Sequence, residues 1–320
     1  MMQKFNRTEF KTRVEELDFD YLFVSASFEQ RSFIIPEIIK NLPTIIFYNN
    51  NESSIIKTNA TILSTSLENK NIIELNTDDP IHNYLEIFNL INIIGSTNKP
   101  INILLDSTTF THETLLILIR LINFNSEKIN SVYISYVGAR EYSTNESDDE
   151  KWLSKGIKEI RTVIGYPGFS DPTKKNHLII LFGFESERTK KIIDEYEFEY
   201  VSLGFANIKE SIQVNHQKIN CDRHTALVKE YKSDQFEFSL IDSNHVKQQL
   251  LDYINLQKFA DMNTVIAPMN NKISTIGAGL AAIENPNIQI TYAKPNIYNI
   301  SGYSEPNDDI YFGLLDFNKV

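Results

Sequence analysis

Short apolar runs alternate along this chain with polar stretches of helical periodicity, and the order of these pieces repeats. The run Tyr21-Leu22-Phe23-Val24 leads into Ser25-Ala26-Ser27-Phe28-Glu29-Gln30-Arg31, a helical pattern to Asn41 and a second apolar run at 44–48. In the second half of the chain Leu178-Ile179-Ile180-Leu181-Phe182 leads into Gly183-Phe184-Glu185-Ser186-Glu187-Arg188, a helical pattern to Tyr196 and an apolar run at 200–203. Apolar runs of this length between amphipathic segments are the pattern of buried parallel strands joined by helices.

Extended along the chain, the pattern predicts a polar helical lead-in over residues 1–20, with Phe10, Val14 and Leu17 on one face. Strands follow at 21–24, 44–48, 71–75, 101–105 and 131–136, with helices at 31–41, 53–67, 80–94 and 111–124. The same order recurs as strands at 178–182, 200–204, 236–241, 264–267 and 288–292, with helices at 186–196, 221–231, 243–259 and 274–283. Asp79 before Pro80, and either Asp242 or Ser243, are the N-caps expected of the third helix in each series. The fold class is α/β: two tandem Rossmann-like halves related by internal duplication, each a mostly parallel five-stranded sheet with helices on both faces. The expected division is 1–150, a linker at 151–176, and 177–320 with a C-terminal tail from Asn296. The polar run 141–150, with Asn145, Ser147, Asp148 and Asp149, is expected as an exposed loop. The linker holds an amphipathic stretch at 152–163 and the turn Gly165-Tyr166-Pro167-Gly168-Phe169.

Composition narrows the function. At 320 residues there is enough chain for two self-sufficient cores, and 42% hydrophobic with 23% charged residues is globular usage. A net charge of -11 argues against tight non-specific nucleic-acid binding, whose affinity comes from Lys and Arg neutralising phosphates. The lone Cys221 allows no internal disulfide, no apolar run approaches a membrane span, and the first residues carry no signal-peptide core. A cytoplasmic, non-membrane protein is expected.

Right-handed crossovers make 3-2-1-4-5 the expected strand order, with a switch point between the loops after strands one and four, where open α/β sheets bind ligands. In the first half these loops carry Ser25, Ser27, Glu29 and Arg31, then Asp106, Ser107, Thr108, Thr109 and His112; in the second, Glu185 and Arg188, then Lys272, Ser274 and Thr275. Hydroxyls, a cation and helix N-termini together suit a phosphate-bearing ligand. The structural alternative is that the hydroxyls cap helices and that Glu29 with Arg31, and Glu185 with Arg188, are ion pairs tying loop to helix. Tyr136 with Tyr142, and Tyr292 with Tyr298, could stack on a base, though packing explains them as well. His216, Cys221 and His224 lack the fourth ligand of a zinc site, and no metal is expected. No glycine-rich dinucleotide or Walker loop occurs; Gly277-Ala278-Gly279 lies in a predicted helix, where close helix packing explains it.

A duplicated Rossmann-like unit with a hydroxyl-rich loop after strand four resembles the CARF and SAVED ligand-sensing domains of bacterial antiviral systems. The resemblance implies a cyclic-oligonucleotide-type ligand, with Ser25, Ser27, Arg31, Asp106, Ser107, Thr108 and Thr109 on the matching loops of one half and Lys272, Ser274 and Thr275 on those of the other. The glycine-rich turn common after strand four in CARF domains is absent from the first half, and Asn270-Asn271 replaces it in the second. No RxxxxH ribonuclease motif follows, so the effector implied is a separate partner protein. Three readings stand: a nucleotide-sensing subunit of a defence system, with one site shared between the halves or one in each; a nucleotide-, phosphoester- or nucleoside-processing enzyme with Glu29 and Asp106 as paired carboxylates, His112 as acid or base and Arg31 as anchor; and a scaffold that binds a protein partner. The sequence assigns no cofactor.

Overall fold

The computed structural model describes all residues except 52, 97–98, 145, 148–149, 197, 213 and 318–320, and the backbone but not the side chain of Val214. Asn145, Asp148 and Asp149 of the expected polar loop therefore lie outside the described residues. In order, the elements are β1 (Gln3–Phe5), α1 (Arg7–Glu15), β2 (Tyr21–Ala26), a 3-10 turn (Gln30–Phe33) running into α2 (Ile34–Ile38), β3 (Thr44–Asn49), α3 (Ser54–Ser66), β4 (Lys70–Leu75), α4 (Pro80–Ile94), β5 (Ile101–Asp106), α5 (His112–Phe124) and β6 (Ile129–Tyr142). There follow β7 (Ser154–Lys155), β8 (Glu159–Pro167), β9 (Asn176–Leu181), α6 (Ser186–Glu195), β10 (Tyr200–Ala206), a 3-10 turn (Ile208–Glu210), α7 (Val214–Glu230), β11 (Asp234–Phe238), α8 (Ser243–Ile254), β12 (Asn263–Pro268), α9 (Lys272–Glu284), β13 (Gln289–Lys294), β14 (Ile297–Tyr298) and β15 (Ser304–Leu314).

Two sheets result. The first runs β1-β15-β6-β5-β2-β3-β4, the second β11-β10-β9-β12-β13-β8. Within the first, the five predicted strands β2 to β6 are parallel neighbours in the order 3-2-1-4-5. Strands β9 to β13 repeat the same order, also parallel, in the second. The chain is thus two tandem Rossmann-like halves formed by internal duplication. Apolar residues on both faces of each sheet explain the uninterrupted runs: Leu22, Phe23, Val24, Ile46 and Phe47 are buried, as are Leu178 to Leu181. Among the described residues no helix is long and apolar enough to cross a membrane.

The boundaries differ from the expectation. The compact units are Met1–Arg140 with Glu305–Val320, and Glu141–Ser304. Residues 151–176, expected as a linker, carry β8, which pairs antiparallel with β13 and extends the second sheet. The tail divides: β14 pairs with β7, while β15 enters the first sheet and pairs antiparallel with β1. Aromatic packing accounts for that destination. Phe312 of β15 meets Phe10 edge-on at 5.3 Å and stacks on Tyr133 at 5.3 Å, closing the core beneath α1.

Local chemistry sets the helix starts. Asn6 and Glu9 form a reciprocal capping box, Asp79 accepts from His82 N, and Asp242 accepts from the amides of Asn244 and His245. Helix α7 begins earlier than its predicted start at 221, because the face it buries is polar: His216, Gln217, Asn220 and His224 turn inward with Leu227. Helix α8 stops at Ile254, ahead of the expected 259, and Phe259 stacks instead on His177 at 3.9 Å.

Gly277 lies where α9 packs on α8; a Cβ there would stand 2.5 Å from Val246 Cβ and 2.8 Å from Ser243 O. Gly277→Ala is expected to lower the urea-denaturation midpoint by the equivalent of about 1–3 kcal/mol, overriding the roughly 1 kcal/mol that alanine gains in an open helix. An unchanged or raised midpoint would contradict this packing.

Candidate functional site at the switch points

The strand order reverses between β2 and β5 in the first half and between β9 and β12 in the second, giving each half the ligand-binding architecture of open α/β sheets. At both places the loop after the fourth strand is clasped to the end of the first. The Thr109 hydroxyl donates to Ser25 O at 2.6 Å, and Asn270 Nδ2 donates to Phe182 O at 2.6 Å. In the second half the loops come closer still: Met269 N donates to Leu181 O at 2.9 Å, and a Cβ on Gly183 would sit 2.9 Å from Met269 O. Only glycine allows that approach.

The two turns after the first strands share a second device. Arg31 is 3% exposed; its Nε and Nη2 donate to the Glu29 carboxylate at 3.0 and 2.6 Å, and its Nη1 donates to Val137 O on β6 at 2.9 Å. Arg188, also buried, donates Nη1 to Ser154 Oγ at 2.8 Å and Nη2 to Ala293 O on β13. Each arginine therefore ties the turn after strand one to strand five. Glu29 with Arg31 is the buried ion pair of the structural alternative. Glu185 takes a different partner: it accepts from Leu153 N at 3.2 Å and Ser154 N at 3.0 Å, so it and Arg188 meet at Ser154.

Most of the predicted hydroxyls face inward. Ser25, Ser27, Ser107, Thr108, Thr109, Ser274 and Thr275 are all buried. Ser27 O accepts from Asn59 Nδ2 at 2.7 Å, and Ser107 Oγ donates to Ser135 O at 2.9 Å. Ser274 and Thr275 donate back to Asn271 O at 2.9 and 3.0 Å, within their own helix start. Lys272 and His112 are the first residues of α9 and α5 and are half-buried. Tyr136 and Tyr292 are buried, and the Arg31 guanidinium lies 5.9 Å from the Tyr136 ring centroid, so both tyrosines pack.

Asp106 is the chemically distinctive group. It closes β5, is 1% exposed, and accepts from the Thr108 hydroxyl and from Thr108 N at 3.2 Å, with Ser135 Oγ at 3.5 Å. The Thr108 hydroxyl in turn accepts from Val137 N at 2.9 Å. Burial pushes the Asp106 carboxyl up to about 7, against the opposing pull of the Thr108 hydrogen bonds and the Arg31 charge. Ser135, absent from the predicted site, is brought alongside by the β5–β6 register, which pairs it with Asp106. Its signal in the sequence was a serine directly after Ile134 in the fifth strand.

His177, which sequence reasoning missed, and His224, which it weighed only as a zinc ligand, are buried and neutral. His177 Nε2 bonds Ser202 Oγ at 2.7 Å; His224 has Nδ1 against Asn220 O at 2.8 Å and Nε2 against Thr189 Oγ1 at 3.0 Å. Burial pushes both down to about 4. Both ring nitrogens of His224 are thus engaged, and among the described residues no group of three or more His, Cys, Asp or Glu is placed to hold a metal. A cleft of about 210 Å³ lies at the opposite, N-terminal edge of the second sheet, between Phe169, Tyr196, Phe198 and Asn263. Asn263 serves the turn there, accepting from Asp171 N and donating to Asp171 O, each at 2.8 Å.

The pH dependence of stability separates these groups. With its carboxyl raised in the fold, Asp106 contributes stability that is complete below pH 4 and is lost as pH rises through 7; the two histidines, lowered in the fold, act in the opposite direction below about 6.5. The unfolding free energy of Asp106→Asn minus that of the parent, from urea denaturation, is therefore expected to rise between pH 4 and 7 and level off above, a swing of roughly 4 kcal/mol at about 1.4 kcal/mol per pKa unit. A flat difference would show that Asp106 titrates normally.

No protein-family model matches the chain, and no curated protein matches it. Solved structures show a faint likeness, two of them as follows. One is an adenylation, ketoreductase and pseudo-Asub multidomain structure of a keto acid-selecting NRPS module: 8% identity, TM-score 0.25, over 85% of this chain and 30% of that one. The other is an N-terminal ketoreductase from a macrolactin assembly line: 11% identity, TM-score 0.23, over 83% of this chain and 63% of that one. The chain spans less than two thirds of either, and with TM-scores this low the Rossmann-like assignment rests on the strand order of the chain itself.

Proposed function

We propose that the chain processes a small nucleotide-like molecule, a nucleotide, phosphoester or nucleoside, at the switch point of its first half, with Asp106 as the acid–base group. The observation that carries this reading is a buried carboxyl at the end of the fourth strand, set among Thr108 and Ser135 hydroxyls and titrating near neutrality. Within the two loops Phe28, Glu29, Thr111 and His112 are half-buried and Gln30 is exposed. His112, at the first turn of α5, is the second proton-carrying group. Glu29 and Arg31 position the turn after β2, because their charges are already committed to each other. Access to Asp106 requires the Ser107–Phe110 turn to lift, which breaks the Thr109–Ser25 and Thr108–Val137 hydrogen bonds. In the second half, Ser186 and Lys272 are the half-exposed groups at the corresponding helix starts, and that half supports the first.

A thermal-shift screen against nucleotides and nucleosides, with each hit re-run by chromatography, tests this. The parent is expected to gain stability and convert the ligand; Asp106→Asn is expected to keep the shift and lose about 10²–10⁴-fold in turnover. A ligand that stabilises the parent and emerges intact would replace the enzyme reading with nucleotide sensing. No shift with any nucleotide or nucleoside would remove both and favour the scaffold.

A further inference from the structure

We propose that the outer edge of β4 is a self-complementary surface through which two copies of this chain join their first sheets into one continuous sheet. Strand β4 ends the order of the first sheet, and among the described residues no strand pairs with its outer side. Thr44 N donates to Asn69 O and Asn50 N to Leu75 O, and the parallel register pairs Thr44 with Lys70, Ile46 with Ile72 and Tyr48 with Glu74. In such a ladder a strand's residues turn their backbone groups alternately toward and away from the neighbour. The N–H and C=O groups of Lys70, Ile72 and Glu74 therefore face the open side, a template for another strand.

The occupant follows from the order of those three side chains. They share one face of the strand, and Lys70, Ile72 and Glu74 are all exposed, Ile72 by 43%. An antiparallel pairing about a two-fold axis at Ile72 sets Ile72 against Ile72 of the second copy, and Lys70 against Glu74 of the second copy at both ends. Every outward backbone group then has a partner, about six hydrogen bonds in all. Opposite charges directly across a strand pair are favourable and like charges are not, so this register selects itself. In the single chain the Glu74 carboxylate bonds Tyr48 Oη and Asn50 Nδ2 on the β3 side, so pairing with Lys70 of the second copy turns it outward.

Sedimentation velocity on the full chain over a concentration series tests the proposal, with circular dichroism and thermal melts as the check on folding. The parent is expected to be a dimer. Lys70→Glu and Glu74→Lys should each weaken dimerisation more than about tenfold, because each sets like charges opposite one another. Mixing the two variants should restore a dimer, as a strand with two acids then meets one with two lysines in the same register. Ile72→Pro, which removes an outward N–H and leaves the ladder with β3 intact, should give a folded monomer. A monomeric parent, dimers that persist in the folded variants, or a mixture that stays monomeric would each overturn it.

Discussion

Each half depends on a buried arginine that joins the turn after its first strand to a backbone carbonyl on its fifth. Arg31 reaches Val137 O and Arg188 reaches Ala293 O, in each case across the end of the intervening fourth strand. Burying a guanidinium without partners is prohibitive, so the surroundings must supply acceptors in fixed places. That need organises the C-terminal edge of each sheet: a carboxylate or hydroxyl beside the arginine and a clasp from the loop after strand four. The edge that in an open α/β sheet is a crevice is here drawn shut in both halves.

Divergence after duplication is visible in how the same need is met. In the first half the acid and the cation are two residues apart at the start of a 3-10 turn and bond each other. In the second they are three apart at the start of α6, and the glutamate instead holds the Leu153 and Ser154 amides, while the arginine takes the Ser154 hydroxyl. Residues 153 and 154 belong to the segment that brings in β7 and β8, which the first half lacks at this place. Its counterpart there is β15, returning from the end of the chain. Each five-stranded core thus acquired its flanking strands from a different part of the sequence.

Closing the edge has an electrostatic consequence. A carboxyl enclosed with hydroxyls loses more from lost hydration than it regains from hydrogen bonds, which is why Asp106 holds its proton to near neutrality. The same balance leaves His177 and His224 neutral, each stacked on a phenylalanine ring at 3.9 or 3.8 Å. Burial thus holds Asp106, His177 and His224 toward their neutral forms.

By itself the sequence determined the ten core strands, their parallel order and the duplication, because buried parallel strands are short apolar runs whatever lies around them. It also placed the cap at Asp79 and narrowed that of α8 to Asp242 or Ser243, since capping needs only neighbouring residues. The assignment of β8 and β15 to sheets, the polar buried face of α7 and the partners of Arg31, Arg188 and Asp106 were decided by tertiary structure. Those depend on contacts between residues far apart in the chain, such as Arg31 with Val137 or Phe10 with Phe312, and local pattern carries no record of them. The loops that hold the candidate site were legible in advance. Whether their side chains faced a ligand or the core was not, because a serine that caps a helix and one that binds a phosphate read alike until the fold sets their direction.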